Sequence, residues 1–312
     1  MRSKLILFLI IYFTFCNELQ SQFRLSVLDQ FQASLNVGPL FFLGDLGGGV
    51  GTGTKFIKDI NLPETKLSFE FNITYKPFEW LGIRSGFLHG TISGNDKNSP
   101  NNLPIDTYLF ERNLNFQSKL DEIHLGIEFV PLHIFSFREK SFLNKLQLYG
   151  FTGVGAFIFN PKTIDIDGEL VELRPLRLEG QGFSEYPTTQ TYSLLQANVL
   201  TGVGIRYFIN ANTFFGIETI HRILFSDYID DVSEKYYVDP LLFDKYLSPE
   251  NAIRAKRLYY RGFYNLGGSL PHKAGLVRGN PKNTDAYFTI SIQFGTKLFR
   301  QKYKGLKCPS NF

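Results

Sequence analysis

Hydrophobic and polar residues alternate with a period of two along most of this chain. Residues 66–76 show the pattern best: Leu67, Phe69, Phe71, Ile73 and Tyr75 alternate with Ser68, Glu70, Asn72 and Thr74. Successive side chains of an extended strand point to opposite faces, so this spacing predicts a strand with one apolar and one polar face. Residues 76–80 read as a turn into a second run, 81–91, where Ile83 and Phe87 alternate with Arg84, Gly86 and Leu88. The pattern returns in 120–129, with Ile123, Leu125, Ile127 and Phe129 opposite Glu122, His124, Gly126 and Glu128. Further runs are 146–159 (rich in Gly), 194–209, 214–225 and 286–298, and a weaker first strand covers 31–37. Eight strands are expected.

The connections between these strands alternate between long and short. Residues 38–65, 93–117, 160–192 and 226–285 are the long ones; those after the second, fourth and sixth strands are shorter. Short turns on one rim and long loops on the other describe an all-β, eight-stranded antiparallel up-and-down transmembrane β-barrel with long extracellular loops. A lipocalin-like barrel also alternates, but it turns its apolar face inward. The apolar faces, rich in Phe and Tyr, are assigned here to the lipid side and its aromatic girdles. The expected surroundings are outer-membrane lipid, with both termini periplasmic.

The N-terminus changes the setting. Arg2 and Lys4 precede an apolar run over 5–16, followed by polar residues 17–22. This is the layout of an export signal, too short to span a bilayer as a helix. The expected division is a signal peptide over 1–21, a barrel over 22–299 and a periplasmic tail over 300–312. Phe15 before Cys16 is too bulky for a lipoprotein signal, which leaves Cys308 alone in the mature chain and no intramolecular disulfide. The chain of 312 residues holds 28 Gly, 32 Phe and 16 Tyr, and its mean hydropathy of −0.09 excludes a bundle of membrane helices. Its net charge is +4, of which Arg2, Lys4 and Glu18 supply +1; the remaining +3 is too weak and dispersed for a nucleic-acid surface.

An eight-stranded barrel encloses room for side chains and little else. Arg84, Glu122, Glu128, Arg206, Glu218 and Arg222 fall on polar faces, where an ion-pair network filling the lumen is expected rather than a pore or a catalytic site. In the loops, Asp167-Gly168 inside 163–173 signals a hairpin, and Ser248-Pro249-Glu250 signals a helix start running to residue 260. Asp227, Asp230, Asp231 and Asp239 form an acidic stretch whose spacing does not match the twelve-residue calcium loop; it reads as capping and turn chemistry, with calcium binding the open alternative. His89, His124, His133, His221 and His272 show no metal-type spacing, and there is no Ser-centred elbow motif. No cofactor and no enzymatic activity are expected.

Several short motifs occur in order: GDLGGG (44–49), ISGNDK (92–97), RNLNF (112–116), FNPK (159–162), EGQG (179–182), SDYIDDVS (226–233), YYVDP (236–240), RGNPKN (278–283) and KCPSNF (307–312). Together they resemble the PorG-like outer-membrane barrels of Bacteroidetes, over nearly the whole mature chain. The resemblance implies a non-enzymatic, anchoring part of the type IX protein secretion machinery that contacts a periplasmic ring of PorK- and PorN-like proteins. A stand-alone barrel binding an outside ligand through its loops is the alternative. Glu179, Gly180, Gln181, Gly182, Asp227, Tyr228, Asp230, Asp231, Arg278, Gly279 and Asn280 are expected to pack together and close the extracellular end, with Asp227 and Asp231 opposite Arg278. The ring is expected to dock on residues 131–145 and on the basic tail, through Arg300, Lys302, Lys304 and Lys307.

Overall fold

A computed structural model describes residues 30–46, 62–98, 112–131, 145–165, 167–261, 274–281 and 284–298. The proposed signal peptide, residues 132–144 and the tail with Arg300, Lys302, Lys304 and Lys307 lie outside them. Among the described residues ten strands form one antiparallel sheet. Eight of these close on themselves: β1 (Phe31–Leu43), β2 (Lys66–Phe78), β3 (Leu81–Asn95), β4 (Asn115–Phe129), β5 (Leu146–Phe159), β8 (Leu195–Phe208), β9 (Thr213–Leu224) and β10 (Ala286–Lys297). Each pairs with its neighbour in the chain, and β1 with β10 completes the circle, Gln32 opposite Lys297 and Leu43 opposite Ala286. Closure leaves no open sheet edge within the barrel. The two remaining strands, β6 (Lys162–Ile164) and β7 (Leu170–Glu172), form the hairpin expected around Asp167-Gly168, and Gly168 takes the positive φ of 81° that the turn needs.

The outward face is apolar and exposed. Phe69 and Phe71 of β2, Ile123, Leu125 and Ile127 of β4, Val203 of β8, Ile217 of β9 and Ile292 of β10 are each 48–67% exposed. A continuous apolar belt of this size fits lipid and not water. Trp80, at the turn between β2 and β3, stacks on Phe78 and meets Phe129 edge-on, which gives the short-turn rim an aromatic girdle.

Three strands run further toward the loops than the alternation predicts. β1 reaches Leu43, although pairing with β10 lapses at Gly38 and Pro39, where proline has no N–H to give. β3 reaches Asn95, and β4 begins at Asn115. The assignment of Phe and Tyr mainly to the lipid side also needs correction. Tyr149, Phe151, Phe157, Phe159, Phe214 and Tyr287 all face inward and are at most 3% exposed. Interior glycines make the room: a Cβ on Gly204 would collide with the Tyr149 ring, and one on Gly295 with Phe214.

The interior is also less uniformly polar than expected. Its short-turn half is polar, but toward the loops Leu40, Leu88, Leu120, Phe157 and Leu224 form an apolar plug. That plug continues without a break into the core of the loops, through Leu173, Leu178, Ile229, Tyr237 and Phe243. Two helices complete the loop layer, α1 (Leu242–Tyr246) and α2 (Pro249–Leu258). Ser248 caps α2 by accepting from the Asn251 N–H, as the Ser-Pro-Glu signal predicts. The basic face of α2 pairs with the hairpin, Arg254 with Glu169 and Arg257 with Asp167.

Candidate functional site

All six predicted lumen residues face inward and are at most 1% exposed. They divide into two nodes along the barrel axis. In the node nearer the short turns, Glu128 accepts from Arg84 at 2.6 Å, from Arg206 at 2.5 and 2.7 Å, and pairs with Lys76 at 3.0 Å. Glu218 accepts from Arg84 (2.6 Å), Asn36 (2.8 Å) and the Tyr149 hydroxyl (2.7 Å). The Arg206 guanidinium lies 3.8 Å from the centre of the Tyr149 ring and also donates to Gln293. In the second node Glu122 accepts from Arg222 (3.0 Å), Asn198 (2.7 Å) and the Tyr287 hydroxyl (2.5 Å). Arg222 reaches Glu70 at 3.4 Å, and Glu70 and Asn72 bring in His124. Phe151, Leu200 and Ile220, on three adjacent strands, form a small apolar cluster, and Phe151 meets both nodes, lying under the Arg84 guanidinium and edge-on to His124.

The charges balance: Glu70, Glu122, Glu128 and Glu218 stand against Lys76, Arg84, Arg206 and Arg222. A charge removed from water is costly unless paired and hydrogen-bonded, and here it is both. The pattern of polar faces missed Lys76, Glu70, His124, Tyr149 and Tyr287 as members. Glu70 and His124 do alternate with apolar neighbours, so the signal was present.

A second constellation closes the mouth. Arg112, in the connection after β3, forks onto Asp96 with two bonds of 2.8 Å and donates to the backbone carbonyls of Arg278 (2.5 Å) and Asp45 (2.8 Å). Arg278, in the connection before β10, donates to Glu179 at 2.9 Å, to the Tyr259 carbonyl at 2.9 Å and to the Asp231 carbonyl at 3.5 Å. Glu179 also accepts from the backbone N–H groups of Ser233 and Glu234. Two buried arginines therefore stitch all four long connections together.

The predicted closure residues thus meet, but with different partners. Arg278 pairs with Glu179; Asp231 gives it only a backbone carbonyl, and the Asp231 carboxylate accepts from the Tyr192 hydroxyl at 2.7 Å. Asp231 sits at φ 64°, which aims its carbonyl and carboxylate at different loops. Among the described residues Asp227 makes no ion pair with Arg278; its carboxyl faces the Ser233 hydroxyl and the Asp285 N–H instead. Gly180 is in the left-handed region at φ 71°, and a Cβ there would press on Tyr186 and Val238. Gln181 binds back to the Glu179 N–H, and Gly182 has φ 78°. Tyr228 stacks on Tyr192, and the N–H groups of Gly279 and Asn280 bond Glu234 and Asp45. Arg112 and Asp96 are among the cap residues that the sequence did not single out. They lie in RNLNF and ISGNDK, and with GDLGGG, EGQG, SDYIDDVS and RGNPKN these motifs converge on one cluster.

Burial sets the chemistry of this cap. It pushes Glu179 up to about 7 against the pull of Arg278, and Asp231 up to about 6. Among the described residues no group of three His, Cys, Asp or Glu is placed to hold a metal ion. His89 pairs with Asp121 on the outer surface, and His124 lies in the lumen beside Glu122.

No family model and no curated protein matches this chain. Among solved structures it is similar to the neisserial surface protein NspA, with 8% identity, 86% of this chain and 97% of that chain covered, and a TM-score of 0.38. It is similar to Ail, the attachment invasion locus protein of Yersinia pestis (9% identity, 85% and 96% covered, TM-score 0.36). It is also similar to the outer membrane protein OprG of Pseudomonas aeruginosa (11% identity, 85% and 95% covered, TM-score 0.36). The barrel itself is set by the strand pairing above.

Proposed function

We propose that this chain is an outer-membrane barrel that works as a closed, non-enzymatic anchor in type IX protein secretion. One observation carries the anchoring part: the lumen is filled by a charge-balanced network and its mouth is sealed by buried arginine clamps, so the barrel offers surfaces rather than a passage. The secretion role comes from the ordered motifs that resemble the PorG-like proteins. Its geometry is compatible with a ring on one side. β10 ends, β1 begins and β4 leads into the 131–145 connection all at the short-turn rim, opposite the cap. In this reading that rim is periplasmic, and residues 131–145 and the tail with Arg300, Lys302, Lys304 and Lys307 meet PorK- and PorN-like ring proteins.

The test is a pull-down from outer membranes together with deletion of the gene. The ring proteins are expected with the full chain and lost when the chain ends after Leu298, and deletion should block export of type IX cargo. Undiminished export after deletion would instead support a stand-alone barrel that uses its cap toward the outside.

A further inference from the structure

Besides the two acids held by arginine, Asp96 and Glu179, the cap gathers a cluster of five more carboxylates, three of them fully buried and two, Asp45 and Asp227, half-buried. Asp45 lies in the first long connection, Asp227, Asp230 and Asp231 open the fourth, and Asp285 ends it. Asp230, Asp231 and Asp285 are at most 1% exposed. Among the described residues none of the five forms a side-chain ion pair; their hydrogen bonds come from neutral donors. Asp230 accepts from the N–H of Val232 (2.9 Å) and of Leu46 (3.1 Å), Asp285 from the N–H of Ile229 (2.9 Å), and Asp45 from the N–H of Asn280 (2.6 Å). Asp231 accepts from Tyr192. These bonds tie the fourth connection to the first at two places and to the third at one. Among the described residues, Asp285 Oδ1 and Asp231 Oδ2 are shielded from solvent with no hydrogen-bond partner.

Unpaired carboxylates crowded at low dielectric repel one another and lack hydration. A proton on one acid cancels its charge and makes it a donor to the next. We infer that this cluster is a proton-operated latch: protonated, it holds the first, third and fourth connections together over the mouth, and as it ionises the cap loosens while the barrel beneath stays closed.

The groups that face the cluster support that sense. Arg112 faces Asp45 and Asp230, and Arg278 faces Asp45 and Asp231; both favour the charged acids. Asp96 opposes them at Asp45; at Asp227 the Glu179 charge disfavours ionisation, while hydrogen bonds from the Ser233 hydroxyl and the Asp285 N–H favour it. Burial outweighs the two arginines. It raises Asp45, and with the charge of Asp45 it pushes Asp227 up to about 8. Burial, then Asp45 and Asp227, raises Asp230; burial, then Asp230 and Asp227, raises Asp285. Opening the cap returns these acids to water and to the ordinary Asp value of 3.8. The closed cap therefore binds more protons than the opened one, and its stability falls as pH rises from about 4 through about 8, where Asp227 titrates.

The test uses the full chain in lipid vesicles, digested with subtilisin at pH 5 and pH 9, with rates normalised to an unfolded substrate at each pH. Cleavage between residues 226 and 261 should be at least about tenfold faster at pH 9, with the heat-shifted barrel band unchanged at both. D227N with D285N should keep the slow rate at pH 9; D227N alone, at the half-buried edge of the cluster, should move part of the way. Three results would overturn the latch: no pH dependence in the parent chain, an unchanged profile in the variants, or protection at pH 9 restored by calcium and removed by a chelator, which would make the latch cation-held.

Discussion

Arg206 forks onto Glu128 inside the barrel, with Nη1 2.5 Å from Oε1 and Nη2 2.7 Å from Oε2. Glu128 is also the shared counter-charge of Arg84 and Lys76, so one carboxylate serves three cations from three strands. Replacing both partners of a buried pair with apolar groups can be neutral, but removing one leaves the other uncompensated. Glu128→Ala is therefore expected to destabilise the barrel by roughly 3–5 kcal/mol, read as a lower urea midpoint in vesicles. Glu128→Gln keeps the volume but not the charge, and should lose nearly as much. An unchanged midpoint would mean that packing, not charge, holds this node.

Much of that network was legible because charge interrupts a strand only where it is useful. Arg84, Glu122, Glu128, Arg206, Glu218 and Arg222 all alternate with lipid-facing apolar residues, and parity fixes their side of the sheet. Leu88 shares the face of Arg84, yet belongs to the apolar plug; nothing in a period of two reports depth along the axis. The aromatic rings were misplaced because they were assigned by type and not by parity: Phe151 lies on the inward face of β5 and Phe129 on the outward face of β4. In the cap, spacing cannot show which loops meet. Arg278 had acids at Asp227 and Asp231 nearer in the chain than its real partner Glu179.

The Arg278–Glu179 pair predicts a separation of cap from barrel. Arg278→Ala strands a buried Glu179 and frees the Tyr259 carbonyl, so the cap should lose roughly 2–4 kcal/mol of local stability. Arg278→Lys should fail to rescue it, because one ammonium cannot reach three acceptors in a fork. Limited proteolysis between residues 226 and 261 should accelerate, while the heat-induced gel shift of the barrel stays in place. A simultaneous loss of both would show that barrel and cap are one cooperative unit.

Leu125, on the outward face of β4 and 55% exposed, lies between Ile123 and Ile127 in the apolar belt. Leu125→Arg places a charge against lipid and should cost about 2–4 kcal/mol if this level is near the bilayer centre. The yield of folded protein in vesicles measures it. A Leu125→Arg chain that folds as well as the parent would contradict a lipid-facing belt.

Gly204 supports the Tyr149 ring, which in turn carries the Arg206 guanidinium. Gly204→Val drives a branched side chain into that ring and should cost roughly 1–3 kcal/mol by overpacking. The near-ultraviolet dichroism of Tyr should change with it. A neutral effect on both would show that Tyr149 has room to move, and that its stacking on Arg206 contributes little.

The filled interior makes a last prediction, about conduction. Two polar nodes and the apolar cluster of Phe151, Leu200 and Ile220 fill the lumen below the cap, so the mouth is not the sole barrier. Reconstituted in planar bilayers, the chain should show no stepwise conductance. Opening the cap with Arg278→Ala should change nothing, because the nodes cross the lumen, Arg84 of β3 to Glu218 of β9 and Arg222 of β9 to Glu122 of β4. Steps in the parent chain would refute the closed lumen. Steps that appear only with Arg278→Ala would place the barrier in the cap, and the two nodes would then have to part readily in the membrane.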